Sequence, residues 1–534
     1  MDVKRRTAVL FPHLLLLLVL LNVVACSGSD SSSTPSPHSP NSPNSPSPTV
    51  SVVQEAYIKA SNAERPDLFG TQVALSGNTL AVGAWHESSC ATGVNGDQNN
   101  NGCEFSGAVY VLVRNAEGVW AQQAYIKPSN TVFQHKFGIA LALSGDTLAV
   151  GAPDDRSCAT GVNGDPQSTG CNSSGAVYVF TRTGEVWSQQ AYVKPSHTNP
   201  AVGGGFFGNS VALSGDTLAV GAQFDASCAT GINGDETNTG CPSAGAAYLF
   251  TRSSNVWSQK AYIKAPNTNA EDYFGYSVAL SGDTVAVGAL QEDSCATGVN
   301  GDSNNSGCPA AGAVYLFRRV SEGWVSDAYL KASNTESLDG FGSAVAMSGD
   351  TLAVAAMSEG SCTRQVNGDQ HNNECRGAVS FGGAVYVFTR QASGWVQQAY
   401  IKPSNMDPGD LFGAGLALSG DMLAVGASTE ASCATGVNGD QSNNDCGNAQ
   451  VFGSSIGAGA VYLFTRTSDV WTQQAYVKAS NTGLDNFGTS VALAEQLLAV
   501  GATGESSCAR GINGDQQDNS CEAAGAVYVY RTGP

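Results

Sequence analysis

Fourteen of the fifteen cysteines form pairs whose members lie thirteen residues apart, so the same cysteine chemistry recurs seven times along the chain. In an exported protein, closely spaced pairs of this kind are typical of disulfides. Zinc or haem ligation is the alternative, but no histidine recurs beside the pairs. We therefore predict seven disulfides within loops, each contributing roughly 3 kcal/mol in the chain-entropy description: Cys90–Cys103, Cys158–Cys171, Cys228–Cys241, Cys295–Cys308, Cys362–Cys375, Cys433–Cys446 and Cys508–Cys521.

Each cysteine-bounded loop contains the tripeptide Asn-Gly-Asp. One interpretation is a turn, because Asn-Gly suits a positive φ and an Asp side chain can accept a hydrogen bond from its own backbone. The other is a Ca²⁺ loop, since oxygen ligands two residues apart can converge on a hard cation. One recurring carboxylate makes a weak site, so calcium is a possible cofactor and none is certain; the candidate ligands are Asp97, Asp165, Asp235, Asp302, Asp369, Asp440 and Asp515.

The elements that must position these loops also repeat seven times. A Phe-Gly pair recurs at Phe69, Phe137, Phe207, Phe274, Phe341, Phe412 and Phe487. Each unit contains four short apolar segments, separated by Gly, Asp and Asn turns, which predict a four-stranded antiparallel sheet. The fold class is therefore all-β, and seven such sheets around an axis make a seven-bladed β-propeller over residues 51–534. A linear solenoid is the rival arrangement, but it would expose two apolar end surfaces.

The two ends of the repeat region favour a closed ring. The last unit stops at the segment ending in Tyr530 and lacks the Trp-Gln-Gln-Ala-Tyr strand of the other units. The stretch Val52–Lys59, which precedes the first unit, has the pattern of that missing strand. We therefore predict that the N-terminal strand completes the seventh blade and covers its edge.

These repeats resemble the FG-GAP repeat, the unit of the integrin α-chain propeller and of many bacterial surface proteins. The two namesake elements are Phe137-Gly138 and Gly151-Ala152-Pro153, although the Pro occurs only in this second unit. The resemblance implies a seven-bladed propeller used for adhesion or ligand binding. The calcium motif of the integrin-type repeats lies between the first two strands, where this chain has only a short Ser-Gly-Asp turn. Those calcium sites therefore cannot be carried over.

The N-terminal segment predicts export. A basic region, Lys4 to Arg6, precedes an apolar run, and the run ends in Val-Val-Ala before Cys26. This ending resembles the lipobox of bacterial lipoproteins, in which the cysteine is lipidated after cleavage. An ordinary signal peptide or a membrane-spanning helix are the alternatives. We predict a signal peptide at 1–25, lipidation of Cys26 and anchoring to a membrane; by the sorting rule of lipoproteins, Ser27 suggests the bacterial outer membrane or cell surface.

Composition limits the functions that remain. Residues 26–50 are rich in Ser and Pro and form an expected extended tether. The formal net charge of -20 argues against nucleic acid as a partner, because phosphate binding needs clustered Lys and Arg. The six histidines follow no repeat register and suggest no nucleophilic site. The recurring Trp and Tyr residues are expected to pack between blades.

A recurring lysine follows the fourth strand of each unit, and we interpret it as a strand-end charge that blocks edge pairing. The seven positions are Lys59, Lys127, Lys194, Lys264, Lys331, Lys402 and Lys478.

Together these observations predict a monomeric, non-catalytic binding or adhesion module with an unknown protein or glycan ligand. The ligand is expected on the face that carries the cysteine loops, because an elaborated set of loops on a rigid scaffold is where binding usually occurs. The alternative is a lectin-like propeller, or an enzyme that acts on polysaccharides with paired carboxylates in the central channel.

Overall fold

The computed structural model describes residues 50–198, 204–373, 382–447, 449–451 and 454–533. The predicted signal peptide, the lipidation site Cys26 and the tether up to residue 49 lie outside these residues, as does Cys375. Within the described residues, no helix is long and apolar enough to cross a membrane.

Seven four-stranded antiparallel sheets account for the repeats, which confirms the predicted fold class. In blades 1 to 6 the neighbouring strands follow the chain order, so each of these blades is a simple meander. Blades 1 to 3 comprise β2 (Val73–Ser76), β3 (Thr79–Ala84), β4 (Ala108–Arg114) and β5 (Trp120–Ile126); β6 (Ala140–Ser144), β7 (Thr147–Ala152), β8 (Ala176–Thr183) and β9 (Val186–Val193); and β10 (Ser210–Ser214), β11 (Thr217–Ala222), β12 (Ala246–Ser253) and β13 (Val256–Ile263).

Blades 4 to 6 have the same plan, and blade 6 carries an additional two-stranded hairpin between its second cysteine, Cys446, and its third strand. Their strands are β14 (Phe274–Ser281), β15 (Thr284–Ala289), β16 (Ala313–Val320) and β17 (Gly323–Leu330); β18 (Phe341–Ser348), β19 (Thr351–Ala356), β20 (Ala384–Gln391) and β21 (Gly394–Ile401); and β22 (Phe412–Ser419), β23 (Met422–Ala427), β26 (Ala460–Thr467) and β27 (Val470–Val477), with the hairpin β24 (Ala449–Val451) and β25 (Ser454–Ile456).

The seventh blade joins the two ends of the repeat region. It consists of β28 (Phe487–Ala494), β29 (Leu497–Ala502) and β30 (Ala526–Gly533), and its fourth strand is β1 (Ser51–Ile58). β1 pairs antiparallel with β30, from Ser51 opposite Gly533 to Ile58 opposite Val527. The first strands of successive blades contact one another around the ring, and β28 contacts β2. The ring is therefore closed by the N-terminal strand, as the sequence predicts.

The hydrophobic core lies between blades. The second strand of most blades is buried along its whole length, because neighbouring blades cover both of its faces. Val109 of blade 1 and Leu148 of blade 2 belong to one buried cluster, and the same sharing continues around the ring. Burial of these Val, Leu and aromatic side chains is the main favourable term that holds adjacent blades together.

Glycine allows the backbones of two blades to approach closely at most of the junctions between blades, although blade 5 carries Ala355 at this position. A Cβ at Gly151 of the Gly-Ala element would lie 2.0 Å from the carbonyl oxygen of Gly208, which belongs to the Phe-Gly pair of the next blade. Gly208 itself has a φ of +90°, a conformation that L side chains rarely adopt. The two recurring motifs of the sequence are thus the two sides of one contact between blades.

Connections alternate between two faces. The hairpins that join strands 1–2 and 3–4 of each blade lie on one face, which we call the hairpin face. The cysteine loops and the linkers between blades lie on the other, the loop face. Since β1 is a fourth strand, it begins on the hairpin face at Ser51 and ends on the loop face beside the seventh cysteine loop, where Lys59 N donates to Gly511 O at 2.8 Å.

Candidate binding face

The cysteine loops are closed by disulfides. Six of the predicted pairs are bonded, with Cα–Cα distances of 5.0 Å. Cys362 is also disulfide-bonded, and its predicted partner Cys375 lies outside the described residues. Each loop is therefore restrained at its base, which limits the conformations that the loop face can take.

The Asn of each Asn-Gly-Asp tripeptide fixes its loop to the fourth strand of the blade. Asn95 N donates to Tyr125 O at 2.7 Å, and Tyr125 N donates to Asn95 Oδ1 at 2.9 Å. Asn95 has a φ of 58°, which Asn adopts more readily than most residues. The equivalent Asn has a positive φ in all seven blades, and in blade 7 it pairs with Tyr57 of the closing strand.

The Asp of the tripeptide forms a turn, as one of the two interpretations predicts. Asp97 Oδ1 accepts from Asn99 N at 3.0 Å, and the six other loops repeat this contact between residues i and i+2. All seven Asp residues are exposed. Among the residues that the structure describes, no group of three or more His, Cys, Asp or Glu is arranged to hold a metal ion. Calcium binding by these Asp residues stays a prediction.

The interpretation of the recurring lysines as edge-blocking charges is wrong. Their side chains are fully buried and lie beneath the cysteine loops, because each ammonium group forms an ion pair with a carboxylate there. The Nζ–carboxylate distances run from 2.5 to 3.2 Å, in the pairs Lys59–Glu505, Lys127–Glu87, Lys194–Asp155, Lys264–Asp225, Lys331–Glu292, Lys402–Glu359 and Lys478–Glu430.

The carboxylate partner recurs three residues before the first cysteine of each loop, a position that sequence reasoning missed. Glu87 accepts hydrogen bonds from Lys127 Nζ at 2.7 Å, from Tyr125 OH at 2.8 Å and from Asn62 Nδ2 at 3.2 Å. Burial lowers the pKa of Lys127, and the charge of Glu87 opposes that shift. Burial and the same carboxylate raise the pKa of Tyr125 far above its ordinary value. One buried acid thereby joins the loop, the fourth strand and the incoming linker.

The incoming linker also contacts the rim of the loop. Ser61 Oγ donates to Gln98 Oε1 at 2.6 Å, and Gln98 directly follows the Asn-Gly-Asp tripeptide. Linker and cysteine loop therefore form one connected surface. The same Ser–Gln contact recurs in blades 5, 6 and 7.

Trp residues join the blades on the side of the hairpin face. Trp187 Nε1 donates to Gln123 Oε1 of the preceding blade at 2.8 Å, and the guanidinium of Arg182 lies 5.2 Å from the Trp187 ring. In blade 1 the acceptor is Glu55 of the closing strand, which also pairs with Arg114. These Trp side chains are buried, in agreement with the expected packing between blades.

The first strands of the blades line the axis of the propeller. The described residues of these strands are mostly Ala, Leu, Val and Ser, with no Asp or Glu among them. We take the loop face as the candidate site because it carries the elaborated and restrained loops.

A family model described as the FG-GAP repeat matches residues 52–112, 120–180, 187–250, 257–317, 324–388, 395–452 and 471–530. The chain belongs to the FG-GAP repeat family. Most FG-GAP matches begin in the fourth strand of one blade and end in the third strand of the next, so the unit of the family spans a junction between blades. No curated protein matches this chain. The disulfides and FG-GAP repeats are compatible with an exported protein.

Proposed function

We propose that this FG-GAP propeller is a non-catalytic binding or adhesion module that is held at a cell surface by a lipid on Cys26 and that engages a protein or glycan through its loop face. The observation that carries the proposal is the structure of this face: its cysteine loops share one design, in which a disulfide restrains the loop, and an Asn–Tyr pair and a Lys–carboxylate pair tie it to the blade beneath.

Such restraint favours binding because a loop that is already ordered loses little conformational entropy when a ligand docks. The exposed side chains of the loops are mainly Thr, Asn, Gln and Asp, including Thr160, Thr230 and Thr297. Hydroxyl and amide groups of this kind suit a polar ligand that accepts and donates several hydrogen bonds. A polar protein surface or a glycan fits this description better than an apolar segment does.

A binding screen with the full chain tests the proposal. Glycan arrays and pull-down from surface extracts are run with and without Ca²⁺. The loop-face variant carries Thr160→Arg, Thr230→Arg and Thr297→Arg, and the matched hairpin-face control carries Val186→Arg, Val256→Arg and Val470→Arg, at positions that are 59–70 % exposed. We expect loss of the ligand only in the loop-face variant. Loss in the control alone would contradict the proposal.

The anchor is tested separately in cells that export the chain. We expect Cys26→Ser to release the protein from the membrane fraction, while the wild type stays bound and is labelled by antibody on intact cells. A Cys26→Ser variant that remains in the membrane fraction would contradict anchoring by a lipid at this cysteine.

A further inference from the structure

Blade 3 differs from the other blades at the buried carboxylate beneath the cysteine loop. Its acid is Asp225, and the Asp225 side chain is 17 % exposed, whereas the equivalent acids of the other six blades are at most 1 % exposed. The distance from Lys264 Nζ to Asp225 Oδ1 is 3.2 Å, the longest of the seven pairs. Among the described residues, those around Asp225 therefore cover the carboxylate less completely than their counterparts do in the other six blades.

Blade 2 shows which group is missing, because its acid is also an Asp. There the ring of His135, two residues before the Phe-Gly pair, covers Asp155, with His135 Nε2 3.0 Å from Asp155 Oδ2. Asn130, which lies three residues after the recurring lysine of blade 1, Lys127, donates to the same oxygen at 3.4 Å.

In blade 3 these two positions are Gly205 and His197. Among the described residues, the only donor to Asp225 Oδ2 is the hydroxyl of Tyr248, at 3.4 Å. A cavity of about 40 Å³ occupies the place of the missing side chain, and Asp225, Gly205 and His197 line it. Since one water needs roughly 10–15 Å³, the cavity holds about three water-sized groups. It is large enough for the head group of a ligand and too small for a whole sugar.

The lining of the cavity favours a positively charged donor. Glu236 replaces the Gln that follows the Asn-Gly-Asp tripeptide in four other blades, and it brings a second carboxylate. Ser196 Oγ donates to both carboxylate oxygens of Glu236, at 2.8 and 2.6 Å, and holds the group in place. Phe224 also lines the cavity, with Phe206 4.8 Å from it between ring centroids. A cation is attracted by the face of an aromatic ring, and it forms charge-assisted hydrogen bonds with carboxylates.

We propose that the blade-3 cavity is a binding site for a primary alkylammonium group, which donates to Asp225 Oδ2 in the place that His135 fills in blade 2 and is balanced by the charge of Glu236. The source of the group is either a lysine side chain of a partner protein or a free polyamine. The site is independent of the identity of the ligand proposed for the whole loop face.

Calorimetric titration of the full chain tests the proposal with three probes. N-acetyl-lysine N-methylamide represents a lysine side chain, putrescine represents a free polyamine, and N-acetyl-norleucine N-methylamide has the same apolar chain without the ammonium. We expect one or both ammonium probes to bind and the norleucine probe not to bind. A stronger response to the lysine probe indicates a protein partner, and a stronger response to putrescine indicates a polyamine. No binding of either ammonium probe, or equal binding of the norleucine probe, would overturn the proposal.

Two variants then assign the binding to this cavity. Gly205→His places a histidine at the position that His135 occupies in blade 2. The nearest atom to a Cβ at Gly205 is 3.6 Å away, so a Cβ fits there without a steric clash. We expect it to abolish binding. Glu236→Gln restores the residue of the other blades and should weaken binding at least tenfold, because it removes a charge-assisted contact. Glu185→Gln, on the hairpin face, is the control and should bind as the wild type does. Binding that persists in a folded Gly205→His protein, or in Glu236→Gln where Gly205→His does not fold, would overturn the assignment.

Discussion

Lys59 Nζ lies 2.5 Å from Glu505 Oε2, although 446 residues separate the two in sequence. Lys59 directly follows β1, and Glu505 directly precedes the seventh cysteine loop. Both side chains are buried, so solvent screens their attraction little. The propeller is therefore closed by a buried ion pair as well as by the backbone pairing of β1 with β30.

The same pair occurs inside every other blade, where the lysine and its acid lie 39 to 48 residues apart. The closing contact thus reproduces the internal contact of an uninterrupted blade. This equivalence explains why a strand from the other end of the chain can replace the missing fourth strand of blade 7.

Lys59→Met is expected to destabilise the protein by about 3–5 kcal/mol, because it leaves the Glu505 carboxylate buried without its partner. The free energy of unfolding in urea measures the loss. Lys331→Met breaks the equivalent pair in blade 4 and is the comparison. Only Lys59→Met should also accelerate amide hydrogen exchange along β1. This strand continues into the propeller only at its C-terminal end, next to Lys59, whereas the fourth strand of blade 4 continues into the propeller at both ends. A loss below about 1 kcal/mol would mean that the pair contributes little.

The repeated features of the fold could be predicted from the sequence because seven copies share one register. The disulfide spacing, the Phe-Gly pairs and the orphan strand before Lys59 are each visible as a pattern of residue types. They need no knowledge of where a side chain points, and the structure agrees with them.

The burial of Lys127 could not be predicted in this way. Its place at the end of a strand is compatible with an exposed charge, and its partner position holds Glu87 in blade 1 but Asp155 in blade 2, which hides the recurrence. Aligning all seven units on the first cysteine would have shown an acid three residues before it. The blade-3 cavity could not be predicted from the sequence either, because it lies where Gly205 has no side chain.

Gly288→Ala is expected to destabilise the protein by about 1–3 kcal/mol, because the new Cβ would lie 2.3 Å from Gly342 O of the next blade. Denaturant unfolding measures the change. Ala355→Gly is the matched control, since blade 5 already carries Ala at this position. It should cost no more than about 1 kcal/mol, the usual cost of Gly in a strand. A Gly288→Ala protein as stable as the wild type would show that the blades can separate at this contact.

Asn163→Ala is expected to loosen the second cysteine loop. It removes the oxygen that accepts from Tyr192 N at 2.9 Å and places an ordinary residue at a φ of 58°. The combined cost should be about 2–3 kcal/mol. Asn163→Gly removes the same acceptor but tolerates the φ, so it should cost about 1 kcal/mol less. Thermal unfolding and the rate of protease cleavage within the loop compare the two, and equal effects would show that the backbone conformation contributes nothing.

Asp410 predicts how stability depends on pH. Burial, together with the charges of Glu430 and Asp407 and despite Lys478, raises the pKa of this carboxyl group to about 8. In the unfolded chain its pKa is about 4. The folded protein therefore binds the proton more tightly, and ionisation of Asp410 costs stability as the pH rises from about 4 to about 8, by up to roughly 1.4 kcal/mol per pH unit.

Asp410→Asn should remove this contribution, because the amide oxygen can still accept from Asp407 N, which donates to Asp410 Oδ2 at 2.8 Å in the wild type, but carries no charge at any pH. The free energy of unfolding of the variant minus that of the wild type should be larger at pH 8 than at pH 5. Urea unfolding at both pH values measures this difference. Asp445→Asn changes an exposed carboxylate and is the control. An Asp410→Asn protein whose stability difference from the wild type is the same at both pH values would show that Asp410 does not titrate in this range, since its neutral and charged forms would then be equally tolerated in the fold.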